Sequence, residues 1–272
     1  MGKGNDLGKD PVAKLVWKLA VPSMLAQFIN VLYGIVDRIY IGNIPEVGGI
    51  ALAGAGVCGP VVTLISSFAA WIGLGGAPLV AIRMGEGNKK GAEQILANCV
   101  VLLLGLAAVL TGAFFALRRP LLLTFGASEV TLPYAESYLT IIVCGTVFSI
   151  LAAGLNQFII CQGYSTLGMI TVVLGAVMNI VLDPIFIFSL NMGVAGAAAA
   201  TVLSQAVSAT FVVSVLLSKK VKVQITFGGY DRRIIKRVLS FGLSPFLILA
   251  TDSIVIIALN SSLQKYGGAE HG

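Results

Sequence analysis

The sequence predicts an all-α protein, a polytopic membrane bundle of six helical spans followed by the first span of a second unit. Three observations carry that expectation. The 272 residues are 57% hydrophobic and only 11% charged, against about 25% charged for an ordinary soluble domain. Apolar runs of about 20 residues, enough to cross a hydrocarbon core, recur along the whole length. The alternation in segments of about ten residues that a membrane barrel needs is absent.

The elements follow in order. Residues 10–20 open on Asp10-Pro11 and carry apolar and basic faces, which fits an interfacial helix leading into the bilayer. The first crossing runs to about Ile41, with Pro22 early in it. Gln27, Asn30, Tyr33 and Asp37 recur there at steps of three, three and four, one polar stripe that must face protein or water. The second crossing covers about 49–84. Its Gly54-Ala55-Gly56-Val57-Cys58-Gly59 matches a dinucleotide fingerprint only formally, with no preceding strand. Those small residues, with Gly59-Pro60 and the Gly73 to Pro78 run, instead allow close helix packing and bending. A short turn leads to the third crossing, about 91–117, nearly free of polar groups beyond Asn98; Arg118-Arg119-Pro120 should end it, leaving a long connection to about Pro133. The fourth, about 134–161, carries Glu136, Tyr138, Asn156 and Gln157.

The fifth crossing, 166–190, contains the most informative stretch, Met178-Asn179-Ile180-Val181-Leu182-Asp183-Pro184. Asn179 and Asp183 lie four apart and leave one helix face, and Pro184 loosens the hydrogen-bond ladder beside them. A charged carboxylate near the bilayer centre costs about 2.5 to 3.5 kcal/mol on insertion scales, so an intramembrane Asp points to function and needs partners. The sixth crossing, about 194–217, puts Thr201, Gln205 and Ser208 on one face. A basic segment from Lys219 to Arg237 should lie on the membrane surface, and a seventh crossing, about 243–263, begins near Pro245 and carries Asp252.

The net charge of +6 reflects position more than nucleic-acid binding, which is not expected. Lys and Arg cluster at the N-terminus (Lys3, Lys9, Lys14, Lys18), after span two (Arg83, Lys89, Lys90) and after span six. Arg38, Arg118, Arg119 and Lys265 oppose them. The positive-inside rule then makes the N-terminus cytoplasmic. The four cysteines, 58, 99, 144 and 161, sit singly in apolar runs and read as packing residues. No nucleophile, base and orienting group coincide, and the one histidine is His271 at the tail, so no enzyme is expected.

The segment around Pro245 echoes the one around Pro22: each follows a basic stretch opening on an Asp and precedes a span bearing an Asp, and Tyr266-Gly267-Gly268 echoes Val47-Gly48-Gly49. The offset is about 220 residues, one six-span unit, and such repeats mark secondary transporters. The expected organisation is a six-span lobe (1–218), a basic linker with an amphipathic helix (219–241) and the start of a second lobe (242–272) that breaks off early.

The Pro22 to Gly42 stretch, Ile50-Ala51-Leu52-Ala53-Gly54, the Gly73 to Pro78 run and Asn179 to Pro184 resemble the multidrug and toxic compound extrusion (MATE) transporters, most of all their bacterial multidrug efflux branch. The resemblance implies twelve spans in two six-span lobes, of which this chain would be the N-terminal lobe and the start of the other, in the bacterial inner membrane. It implies exchange of H+ or Na+ for small organic, often cationic, drugs, with no cofactor and with membrane lipid and the missing C-terminal lobe as partners. Its cation site falls on Asp37, Asn179, Asp183 and Thr201, where Na+ is the candidate metal. Gln27, Asn30, Tyr33, Tyr138, Asn156, Gln157 and Gln205 are candidate substrate or network residues, and Pro22 and Pro184 candidate hinges. Two alternatives stand beside this reading. A lipid-linked oligosaccharide flippase of the same superfamily should line its cavity with Arg or Lys, and these spans are nearly free of them. A seven-span receptor has no reason to restart its pattern near residue 230.

Overall fold

In the computed structural model, residues 11–266 are described, except for the side chains of 12, 14, 15, 260, 261 and 263–266. Lys3, Lys9, Asp10, the Gly267-Gly268 echo and His271 lie outside that range, as do the side chains of Lys14 and Lys265. Every regular element among the described residues is helical: α1 (Val12–Gly42), α2 (Gly48–Val57), α3 (Gly59–Gly85), α4 (Lys89–Thr124), α5 (Leu132–Cys144), α6 (Thr146–Ile160), α7 (Ser165–Pro184), α8 (Gly193–Leu217) and α9 (Arg232–Tyr266). Six stretches are long and apolar enough to cross a membrane, seven if the bent pair α5 and α6 is one span.

Several boundaries differ from those expected. The interfacial stretch and the first crossing are one continuous helix, α1, with Pro22 inside it. Likewise α4 does not stop at Arg118-Arg119-Pro120 but runs through Pro120 to Thr124. Arg118 explains why charge fails to end the helix: its Nε donates to Glu136 Oε1 at 3.2 Å, its Nη1 donates to the Phe115 carbonyl, and its guanidinium lies over the Phe115 ring. The connection to α5 is therefore short, closed by Ser128 and Thr131, whose backbone and hydroxyl groups bond to each other.

The fourth crossing is broken at Gly145, where α5 and α6 meet at 55°. Val202 of α8 packs so closely there that a Cβ on Gly145 would overlap it; only glycine lets the two helices approach this far. The second crossing is interrupted at Cys58, with Pro60 in the first turn of α3, where a proline's missing N–H costs nothing. Gly54 lies against the α5 backbone at Thr131 and Ala135, so the fingerprint-like glycines serve packing. Within the Gly73 to Pro78 run, Gly73 meets Gly154 of α6, Gly75 meets Val238 of α9, and Gly76 meets Cys99 and Phe158.

α9 also departs from the expected division, because one helix spans both the amphipathic stretch and the seventh crossing. It packs along α3. Trp71 Nε1 donates to the Leu239 carbonyl at 2.8 Å, Phe246 stacks on Trp71 with ring centroids 4.8 Å apart, and Gly242 admits the Trp71 carbonyl. The remaining layers are α1 against α7 and α2, and α8 against α5, α6 and α7.

Candidate functional site

The site is built where α7 crosses α8. These helices approach closely because Gly175 faces Ser208, whose hydroxyl donates to the Thr171 carbonyl at 3.1 Å. Along the same face Asn179 Nδ2 donates to Asp183 Oδ1 at 3.1 Å and to Thr201 Oγ1 at 3.2 Å. Asp183 is fully buried, with Asn179 and Thr201 nearly so. Beyond Pro184 the ladder widens into a π-helical turn, Ile185–Ser189, against which Gly196 of α8 packs. Asp37 comes from α1, which lies along α7, and its side chain meets that of Asp183. Four residues spread over 165 positions of sequence thus form one cluster.

Its oxygens are short of donors. Asp37 Oδ1, Asn179 Oδ1 and Asp183 Oδ2 are each buried without a hydrogen-bond partner. Buried acceptors are almost always satisfied, and two carboxylates in contact at low dielectric repel strongly. A proton or a hard cation resolves both problems at once, since carboxylate, amide and hydroxyl oxygens form the donor set such ions take. The residues therefore fit Na+ or H+ by the chemistry of their donors.

Beside the cluster opens a cavity of about 710 Å3, into which Tyr33, Asp37, Tyr138, Thr201 and Gln205 face. Asp37 and Thr201 belong to both cluster and cavity, so they join the oxygen cluster to a space large enough for a drug-sized molecule. Ile256 of α9 also lines it.

Other candidates are placed elsewhere. Gln27 and Asn30 are exposed on α1 and do not line the cavity. Asn156 is buried and donates to the Gly168 carbonyl at 3.3 Å, tying α6 to α7, and Gln157 packs against Gly73 of α3. Pro22 lies within an unbroken helix, whereas Pro184 sits at the change of helix type.

Sequence reasoning missed the amides that hold the chain between α8 and α9. Gln162, fully buried, accepts from Val223 N–H at 2.7 Å through Oε1 and donates through Nε2 to the Val223 and Phe158 carbonyls. Asn98 accepts from Asp231 N–H and donates to the Gly229 carbonyl, which Gln94 also contacts. The available signal was a pair of amides in otherwise apolar runs.

A helical bundle with a buried oxygen cluster beside a wide cavity is the anatomy of a membrane transporter, and the MatE family model matches residues 22–185. The chain belongs to the MatE family. It is 26% identical over 263 residues to the multidrug export protein MepA of Staphylococcus aureus (strain MRSA252), covering 95% of this chain and 57% of that one. Solved structures of a multidrug resistance MATE family transporter of the MOP superfamily, in an inward-facing and an outward-facing conformation, superpose with TM-scores of 0.81 and 0.83 at 31% identity. They cover 91% of this chain and 56% and 55% of those chains. The chain thus spans about half the length of the relatives it matches.

Proposed function

We propose that the chain supplies the cation-coupling lobe of a multidrug efflux antiporter, exchanging H+ or Na+ for organic, often cationic, compounds by alternating access. Residues 1–218 form that lobe, and α9 begins the second. The observation that carries the reading is the fully buried Asp183, one oxygen held by Asn179 and the other without a partner beside Asp37. The coupling ion occupies Asp37, Asn179, Asp183 and Thr201. Because Asp37 and Thr201 also face the cavity, binding of the ion and of an organic cation there are mutually opposed. Bending of α1 at Pro22 and rearrangement of the π-helical turn after Pro184 carry the change in access. The relatives' names and their inward- and outward-facing structures support this reading.

The test is linkage. In detergent, a fluorescent lipophilic cation should bind the chain, and raising the coupling ion should weaken that binding, since linked sites must affect each other by the same factor. With Asp183→Asn the dye should still bind but lose its dependence on the ion. Dye binding that is unaffected by both H+ and Na+ in the wild type would overturn the proposal.

A further inference from the structure

At the end of the bundle where α4 and α7 begin and α8 ends, a second recess of about 520 Å3 has no place in the transport reading. Lys89, Lys219, Lys220 and Lys222 line it with Tyr164 and Gln224. No carboxylate is among the lining residues, although the largely buried Glu93 carboxylate stands 3.5 Å from the Lys89 ammonium. Lys89, Lys219 and Lys222 alone bring three ammonium groups to one concavity, where a shared anion lowers their mutual repulsion.

The lysines are not carried on a loose loop. Val221 and Val223 are buried, which turns the alternating Lys220 and Lys222 outward. The buried Gln162 bonds both the N–H and the C=O of Val223, as a neighbouring strand would, and Ile225 N–H donates to the Leu216 carbonyl at 3.0 Å. Across the recess Lys89 is the first residue of α4, whose start is fixed by the Asn88 side chain accepting from Gly91 N–H. Two anchored backbone segments therefore place the cations around one space, so that only the lysine side chains are ordered when an anion enters.

The position selects among anions. The recess lies at the ends of apolar helices long enough to cross a membrane, the level at which lipid phosphates sit. Two residues before Lys219, Leu217 is 52% exposed, apolar surface that an acyl chain would cover and a free ion would not. We propose that this recess binds the head group of an anionic phospholipid, whose phosphate bridges Lys89 to the 219–222 segment and so fastens the linker to the start of α4.

The probe is phosphatidylglycerol, titrated into the full chain in zwitterionic detergent and followed by native mass spectrometry, with phosphatidylcholine and inorganic phosphate as parallel arms. Replacing Lys89, Lys219 and Lys222 together by Gln should weaken phosphatidylglycerol binding about a hundredfold, at about fivefold per lysine near a lipid surface. A second triple variant, Arg232→Gln, Arg233→Gln and Lys236→Gln, removes the same charge from exposed positions on α9 and should change binding by no more than about threefold. Equal losses in the two variants would reduce the recess to general charge attraction and overturn the proposal. So would wild-type binding of phosphatidylcholine as tight as that of phosphatidylglycerol. Displacement of the lipid by inorganic phosphate at matched concentration would make it a free-anion site and refute the lipid assignment.

Discussion

Asn179 is the residue whose side chain joins the two polar positions on either side of it. Its amide gives one hydrogen to Asp183 and one to Thr201, and its own oxygen is left without a partner. Asn179→Leu keeps the branched shape and removes both bonds, one within α7 and one across to α8; at about 0.6 kcal/mol for an interhelical bond in membranes and a similar amount for the other, stability falls by about 1 kcal/mol. It also removes one oxygen of the proposed ion site. In detergent the wild type should melt at higher temperature when the coupling ion is added, because an ion bound only to the folded state stabilises it; the variant should start slightly lower and lose most of that ion-dependent gain. A full gain in the variant would exclude Asn179 from the site. The pair Asn179 and Asp183 is legible in sequence because a carboxylate inside an apolar helix is costly and its partner must be near, here at the next turn. Asp37 joined them only through the family resemblance, since nothing local says that α1 lies along α7. Gln162 and Asn98 were not legible as structural ties: an amide close to a span end also suits an interface, and only the tertiary path of residues 218–231 shows what each one holds.

Elements obey the same division. Apolar length gave the crossings, but their ends and breaks depend on contacts between helices. Pro120 and the two arginines before it read as a stop, yet Glu136 on the next helix satisfies Arg118 and α4 continues. Gly145 reads as one more small residue in lipid, yet Val202 on α8 makes it a 55° corner. The basic segment from Lys219 to Arg237 reads as surface-lying, and what its sequence does not disclose is that side-chain amides fasten it at Val223, Gly229 and Asp231. Gln162→Leu should release the first of these and leave the Val223 N–H and C=O without partners, at about 1 to 3 kcal/mol. Limited trypsin digestion at low protease concentration reads the opened population, so cleavage after Lys219, Lys220 or Lys222 should accelerate about tenfold to a hundredfold. Unchanged cleavage would show that the glutamine does not hold the segment closed.

At the scale of the whole molecule, α1, α7 and α8 bring the oxygen cluster together, while α2, α5 and α9 help to wall the cavity that Asp37 and Thr201 share with it. One carboxylate pair thus stands at the junction of the oxygen cluster and a drug-sized space, the arrangement on which the proposed exchange of one cation for another rests. The claim on which the account rests is that these four residues bind the coupling ion. The direct measurement is ion binding to the purified chain: radioactive sodium by scintillation proximity, and proton uptake by an indicator dye, for the wild type and for Asp183→Asn. The account predicts saturable binding of at least one of the two ions at about one per chain, lost in the variant while the protein remains folded. Binding of neither ion by the wild type, or equal binding by Asp183→Asn, would contradict it.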